Sequence, residues 1–297
     1  MTEETMIERL TVIGVGLIGG SLARALKSAE AVGEVVGCGR SLANLELAQE
    51  LGVIDRFCSS PEEAVRNADM VFIAVPLGGI AGVFARIRGQ LSEQAVVTDG
   101  GSVKGSVVAD AQRVFGAVPS WFVPGHPIAG TERSGVASSF PELYQDRRVI
   151  LTPLPETDPE ACARVRAMWE RVGGEVTEMS VAHHDEVLAA TSHLPHMLAF
   201  GLVDALARMR SNDEIFRYAA GGFKDFTRIA SSSPEMWRDI CIANADALSQ
   251  MLARFGDEMR ELSETIRAGD GDALLEIFDR ARAARERYVD GLSAGRR

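Results

Sequence analysis

Apolar and polar positions over residues 9–101 alternate between two textures. Short runs that are apolar at nearly every position (9-RLTVIGV-15, 34-EVVGCG-39, 68-ADMVFIAVP-76, 95-AVVTDGG-101) are separated by longer stretches with apolar residues at helical spacing (17-LIGGSLARALKSA-29, 42-LANLELAQELG-52 and residues 79–91). A strand that is apolar on both faces must be covered on both, and strands alternating with helices build a parallel sheet. Further strands are predicted at 121-WFVPG-125, 147-RRVILTPL-154 and 174-GEVTEMS-180, with a helix over 158–172. After Ser180 the texture changes: residues 181–210, 213–222, 234–266 and 271–293 are apolar at helical spacing only. The expectation is an α/β fold, with a Rossmann-type, mainly parallel sheet domain over 1–180 and an all-α domain over 181–297. The junction has no Gly/Ser/Pro linker, so the two are expected to pack closely around a cleft.

Composition narrows the class. The formal charge of −11 opposes binding to phosphate backbones or anionic lipid, and no basic patch offsets it. No nucleic-acid or membrane partner is therefore expected. No apolar run approaches the roughly 18 residues of a membrane span, and residues 1–9 are polar and acidic, unlike a signal peptide. The four cysteines, Cys38, Cys58, Cys162 and Cys241, lack metal-ligand spacing and read as small apolar residues of a reducing compartment, which makes the cytoplasm the expected location.

The first strand runs into 14-GVGLIG-19, with Gly14, Gly16 and Gly19 in G-x-G-x-x-G spacing. The first glycine permits a tight turn, the second lets a pyrophosphate approach the backbone, and the third lets helix and strand pack closely. Leu17, Ile18 and Gly19 then present helix N-terminal N–H groups to the anion. Strand before, helix after and a second strand about 20 residues on are the context this pattern requires. At the end of the second strand, where an acid would bind both ribose hydroxyls, the chain has Gly39, Arg40 and Ser41. A cation and a hydroxyl there can receive a 2′-phosphate, so NADP is expected to be preferred, with NAD still tolerated if Arg40 stacks on adenine. Val75 and Pro76 at the third strand end and Asp99 at the fourth complete the expected cofactor edge. Ser102, in 98-TDGGSVKG-105, reads either as a helix N-cap or as part of that edge.

One of only five histidines, His126, sits in 122-FVPGHPIAGTERSG-135 after a strand. Gly125, Pro127 and Gly130 restrict the backbone around it, which a casual surface loop does not need, and an imidazole is the natural proton acceptor near neutral pH. Glu132 and Arg133 read as capping or salt-bridging residues. The remaining histidines lie in 183-HHDEVLAATSHLPHML-198, where His184, Leu188, Ser192 and His196 step by four along one helix face. With no H-E-x-x-H motif and with Asp185 and Glu186 assigned to other faces, a polar stripe facing a cleft is favoured over a metal site. Pro195 should kink the helix. The stretch 221-GGFKDFTRIASSSPEMWRDI-240 reads as an exposed loop before a helix at Pro234. In it Arg228 either pairs with Asp225 or grips a carboxylate bidentately.

Taken in order, 14-GVGLIG-19, 98-TDGGSVKG-105, 125-GHPIAGTERSG-135, 184-HDEVLAATSHLPH-196 and 222-GFKDFTRIASSSPEMW-237 resemble the prephenate/arogenate (cyclohexadienyl) dehydrogenase family. The resemblance implies NAD(P)-dependent oxidative decarboxylation of prephenate or arogenate in tyrosine biosynthesis, by a homodimer formed through the helical domain. It implies His126 as the catalytic residue on the ring hydroxyl, with Ser102 sharing that contact. It also implies Arg228 on a substrate carboxylate, and His184, Ser192, His196, Glu132 and Trp237 around the substrate. An acid after the second strand, usual in NAD-using members, is absent, and no ACT or chorismate mutase segment is expected. A β-hydroxyacid-type dehydrogenase would need a helix-borne catalytic lysine motif, which is not found, and a non-enzymatic NADP-binding redox sensor would leave His126, Ser102 and Arg228 without a purpose.

Overall fold

The computed structural model describes residues 5–131, 133–210 and 212–294. Six strands, β1 (Ile7–Ile13), β2 (Val32–Cys38), β3 (Arg56–Cys58), β4 (Met70–Ile73), β5 (Val96–Asp99) and β6 (Phe122–Val123), form one all-parallel sheet in the order β3-β2-β1-β4-β5-β6. This order, reversing between β1 and β4, is that of the Rossmann dinucleotide-binding fold. Helices α1 (Leu17–Ser28), α2 (Leu42–Glu50), α3 (Pro61–Ala64), α4 (Leu77–Ile87) and α5 (Lys104–Phe115) connect the strands.

The nearly unbroken apolar runs now have their explanation. Leu10, Val12, Val35, Met70, Phe72 and Val96 pack into one hydrophobic cluster, while Ile13, Val36, Val71, Ile73 and Val97 pack into another. Successive residues of a strand point to opposite faces, so a sheet covered on both sides needs apolar residues at both parities.

The strands expected at 121–125, 147–154 and 174–180 do not all extend this sheet. At Pro124 the chain leaves β6, and β7 (Gly125–Pro127), β8 (Arg147–Leu151) and β9 (Gly174–Glu178) make a separate three-stranded sheet. There β7 runs antiparallel to β8, with His126 opposite Ile150, and β8 runs parallel to β9. Proline has no N–H to donate to a ladder, and the Pro124 carbonyl instead accepts from Thr152 N at 2.9 Å, which fixes the swing between sheets. Helix α6 (Pro159–Arg171) covers part of the first sheet, with Trp169 buried edge-on against Phe72.

From Val181 onward the elements among the described residues are helical: α7 (Val181–Leu188), a π-helical turn (Ala189–His193), α8 (Leu194–Ala207), α9 (Asn212–Arg217), α10 (Gly221–Thr227), α11 (Pro234–Ala243), α12 (Ala245–Ala268) and α13 (Gly271–Ala294). Pro195 has no N–H for the carbonyl a turn earlier, and it stands in the first turn of α8, immediately after the π turn. Residues 221–227, expected as loop, are helical. Gly221 and Gly222 stand in the first turn of α10, where glycine does little harm. The chain divides into two compact units, one ending at Ala245 and the other beginning at Asp246. Every site residue described below belongs to the first. No described helix is long and apolar enough to cross a membrane.

Candidate active site

The carboxyl edge of the main sheet carries the glycine turn. The ladder continues one residue past three strands, with Gly14 N donating to Cys38 O (2.8 Å), Ala74 N to Ile13 O (2.7 Å) and Gly100 N to Ile73 O (3.0 Å). Gly14 has φ +101°, and a Cβ there would stand 2.3 Å from the Ala74 carbonyl oxygen. A Cβ at Gly19 would stand 2.3 Å from the Gly14 carbonyl oxygen and 2.7 Å from Val12 Cγ1. A Cβ at Gly16 would meet nothing within 4 Å. Two glycines are therefore required by the protein's own packing, while the third borders open space. Gly16 is also the N-cap of α1, with no side-chain cap. The N–H groups of Leu17, Ile18 and Gly19 thus form the uncapped first turn of a helix beside that space, a fitting cradle for a pyrophosphate. Among the other expected cofactor residues, Gly39 follows β2, Arg40 is exposed, and Ser41 caps α2 by accepting from Asn44 N. Val75 and Pro76 lie between β4 and α4.

Asp99 departs from expectation. Its carboxylate is fully buried and turned inward, paired with Lys104 Nζ at 2.5 Å and accepting from Gly101 N (2.7 Å) and Gly125 N (3.1 Å). Lys104, equally buried, also donates to Gly125 O at 2.5 Å. Burial pulls the lysine below its ordinary pKa while Asp99 opposes that shift. This pair ties the end of β5 and the start of α5 to the residue preceding His126, so the Asp99 side chain has no surface to offer a cofactor.

His126 is the central residue of β7 and is half-buried. Its Nδ1 lies 2.9 Å from Nε2 of His184, with the rings 60° apart. His184 Nδ1 lies 2.7 Å from Asp185 Oδ1. Asp185 is not on an unrelated face as expected. Its two oxygens accept from Lys104 N (2.8 Å) and Gly105 N (2.7 Å), capping α5 from another helix. Neither Ser102 nor any other local side chain caps α5, whose N-cap is Val103, so the N-cap reading of Ser102 lapses. Burial raises the Asp185 pKa, but the bonds from His184, Gly105 and Lys104 outweigh it and hold the carboxyl below its ordinary value. His184 has no exposed surface, so it sits behind His126 and not on a pocket wall.

Burial lowers the pKa of all four of these histidines. For His126 the effect is strong, and His184, Lys104 and His193 add to it. For His184, Asp185 opposes and Lys104 reinforces it. His193 falls to about 4. His196 falls despite its bond to the Ser192 carbonyl, with the Arg228 charge reinforcing the shift.

The helices supply a second wall. Trp237 of α11 packs with Ile240 and with Val103, the residue that follows Ser102. His196 stacks on Trp237 at 3.7 Å between ring centroids, and the buried Trp237 Nε1 has no hydrogen-bond partner among the described residues. Arg228 is exposed in a short 3-10 turn (Arg228–Ser231), close enough to His196 to shift it. Ser192 lies in the π turn. Asn244, buried where the helical segment expected over 234–266 breaks, donates to Asp185 O (2.9 Å) and lies 3.1 Å from His193 Nδ1. Glu132 lies outside the described residues. Among them, no three His, Cys, Asp or Glu side chains gather where they could hold a metal ion. Sequence reasoning did not select Lys104, Asp185, His193 or Asn244. The one signal for Lys104 and Asp185 was position, Lys104 two residues after Ser102 and Asp185 next to His184.

A Rossmann sheet with an uncapped helix start at its glycine turn, next to a cluster of histidines held below their ordinary pKa, fits a nicotinamide-dependent oxidoreductase. The comparisons carry this further. Residues 22–178 match the family model for the prephenate dehydrogenase nucleotide-binding domain, and residues 180–280 that for the prephenate dehydrogenase dimerization domain. The chain is 39% identical to a cyclohexadienyl dehydrogenase of Zymomonas mobilis, over 95% of this chain and 96% of that protein. It is 35% identical to the prephenate dehydrogenase of Bacillus subtilis, over 97% of this chain and 76% of the other. Among solved structures, Aquifex aeolicus prephenate dehydrogenase in complex with hydroxyphenyl propionate and NAD+ superposes with a TM-score of 0.89 at 38% identity, covering 95% of this chain and 98% of that one. Synechocystis arogenate dehydrogenase does so with a TM-score of 0.79 at 28% identity, covering 94% and 99%. The chain belongs to the prephenate dehydrogenase family, and it is an NAD(P)-dependent oxidoreductase.

Proposed function

We propose that this enzyme oxidatively decarboxylates prephenate to 4-hydroxyphenylpyruvate, or arogenate to tyrosine, with His126 as the proton acceptor. The observation that carries this reading is the setting of His126. Its Nδ1 is engaged by His184, burial keeps the ring neutral, and no partner is recorded for Nε2 among the described residues. A neutral imidazole with one free lone pair at the carboxyl edge of a Rossmann sheet accepts a proton from a ring hydroxyl as that carbon is oxidised. A nicotinamide dinucleotide bound along Gly14, Gly16, Leu17, Ile18 and Gly19 supplies the hydride acceptor. Loss of the ring carboxylate as CO2 makes the ring aromatic, so the chain contributes mainly orientation and one base.

The other roles follow from position. Ser102 shares the hydroxyl contact beside His126. Arg228 holds a substrate carboxylate, with the His196–Trp237 stack and Ser192 as the wall, and Glu132 completes the substrate contacts. The carboxylate that departs must be held without excess, because a charge bound more tightly in the ground state than in the transition state slows its loss. Arg40 and Ser41, with Gly39 where an acid would stand, favour NADP over NAD. The helical region, matched by a dimerization-domain model, forms a homodimer.

One assay tests the reading: kcat and KM for prephenate and arogenate, each with NAD and NADP, in the wild type and in His126→Asn. The Asn side chain keeps an N–H for His184 but offers no base, so kcat should fall by about 10²–10⁴-fold with cofactor affinity intact. Unchanged turnover would remove His126 as the base. A strong NAD preference would remove the role given to Arg40.

A further inference from the structure

The geometry points to His184 and Asp185 as positioning residues that hold His126 in the tautomer protonated at Nδ1, leaving the Nε2 lone pair as the site's proton acceptor. This deepens the proposed function and rests on its reading of His126 as the base.

The proton positions are fixed from the Asp185 end of the chain of bonds. Backbone N–H groups can only donate, and those of Lys104 and Gly105 each donate to one Asp185 oxygen, at 2.8 and 2.7 Å. They are the first N–H groups of α5, where a negative charge is favoured. Asp185 is therefore an ionised acceptor, and the nitrogen 2.7 Å from its Oδ1, His184 Nδ1, must carry the proton. A neutral His184 then has a bare Nε2. The 2.9 Å contact between that atom and His126 Nδ1 needs one proton between two nitrogens, and only His126 can supply it. With Nδ1 protonated, a neutral His126 has its lone pair on Nε2.

The competing arrangement is an imidazolium at His184, which would donate to His126 and leave Nε2 of His126 protonated and useless as a base. The groups facing His184 decide against it. Burial and the Lys104 charge disfavour the cation, and although Asp185 and Asp99 favour it, the balance lies below the ordinary histidine pKa. His193, whose own pKa is about 4, adds no positive charge near neutral pH. An acid fixing the tautomer of a catalytic imidazole is a known device of hydrolytic triads; here a second imidazole is interposed. This role replaces the pocket-lining one that the family resemblance implied for His184.

The test combines a spectroscopic and a kinetic arm on the full-length enzyme. 15N NMR of histidine-labelled wild type at neutral pH should show His126 protonated at Nδ1 with a pyridine-type Nε2. The opposite tautomer overturns the proposal, whatever any variant does. His184→Leu removes the acceptor and should lower kcat by about 10–100-fold, a part of the 10²–10⁴-fold that a general base contributes, with both KM values within about twofold of wild type. His184→Gln, whose side-chain oxygen can accept from His126 Nδ1, should recover most of that loss. A fully active His184→Leu beside an inactive His126→Asn overturns the relay alone. An active His126→Asn overturns the base reading and the relay with it.

Discussion

The glycine turn stands at the carboxyl edge of the main sheet and the histidine cluster just beyond the end of β6, where the chain passes to the second sheet, and they are made in opposite ways. The turn is contiguous, six residues of backbone whose fit depends on the missing side chains of Gly14 and Gly19, with Gly16 bordering open space between them. The cluster is assembled from side chains far apart in sequence: His126 and His184 are 58 residues apart, and Asp185 caps a helix start 81 residues away. A site of the first kind is written in local spacing and fails one residue at a time. A site of the second kind exists only once the fold has brought its members together, and each member supports several others.

The sharpest way to break the cluster is therefore Lys104→Met. Methionine fills similar volume but leaves the Asp99 carboxylate buried beside Gly101 N and Gly125 N without its cation, and releases the Gly125 carbonyl next to His126. Removing one partner of a buried pair costs about 3–5 kcal/mol, so chemical denaturation should show a loss of that size together with lower kcat. Adding Asp99→Asn should restore part of the stability, since the uncompensated charge is then gone. A single variant as stable as wild type would mean the pair does not hold β5, α5 and β7 together.

On the turn, the largest effect belongs to Gly14→Ala. The residue has φ +101°, and the new Cβ would stand 2.3 Å from a backbone oxygen that cannot rotate away. Left-handed strain and overpacking together should destabilise by about 3–4 kcal/mol, read as a lower denaturation midpoint, before any cofactor is added.

Acid separates the two regions next. His126, His184, His193 and His196 are all held below their ordinary pKa, chiefly by burial. An unfolded chain protonates them first as pH falls through about 6.5, so it binds more protons than the folded chain and stability declines toward low pH. His193 alone, falling from 6.5 to about 4, accounts for on the order of 3 kcal/mol once both states are protonated. Tm measured from pH 7 to 4 should fall steadily, and kcat/KM should keep its plateau below pH 6.5 because His126 stays neutral there. The glycine turn has no titrating side chain and adds nothing to this decline.

The same contrast sets what could be read from sequence. The parallel sheet and the glycine turn were legible because both-face burial and glycine spacing are local patterns, whereas the short β3 (Arg56–Cys58) was not among the expected strands. The second sheet was not legible, because nothing in 121-WFVPG-125 says that the proline sends its last residues to another partner. Helical spacing put His184 with Ser192 and His196 on one face. It could not show that the face at His184 is closed by β7, or that the neighbouring acid reaches across to α5. Asp99 was misassigned for a related reason: an acid at a strand end looks available until the lysine that buries it is seen. The selection of His126 and Arg228 owed more to the resemblance than to the residues themselves.

The smallest expected effect tests the turn against itself. Gly16 has φ −109°, which alanine adopts freely, and a Cβ there meets nothing within 4 Å. Gly16→Ala should therefore leave the fold intact, and the reduced freedom of its unfolded chain could raise stability by up to about 1 kcal/mol. The methyl would nonetheless stand in the space a pyrophosphate must approach, so KM for the dinucleotide should rise roughly tenfold, equivalent to about 1.4 kcal/mol, with KM for the substrate little changed. Thermal melting and cofactor titration of the purified variant measure both. If stability falls, Gly16 is held by packing like Gly14 and Gly19. If cofactor affinity is unchanged, the open space beside α1 is not where the dinucleotide lies, and the cradle must be sought elsewhere along the edge.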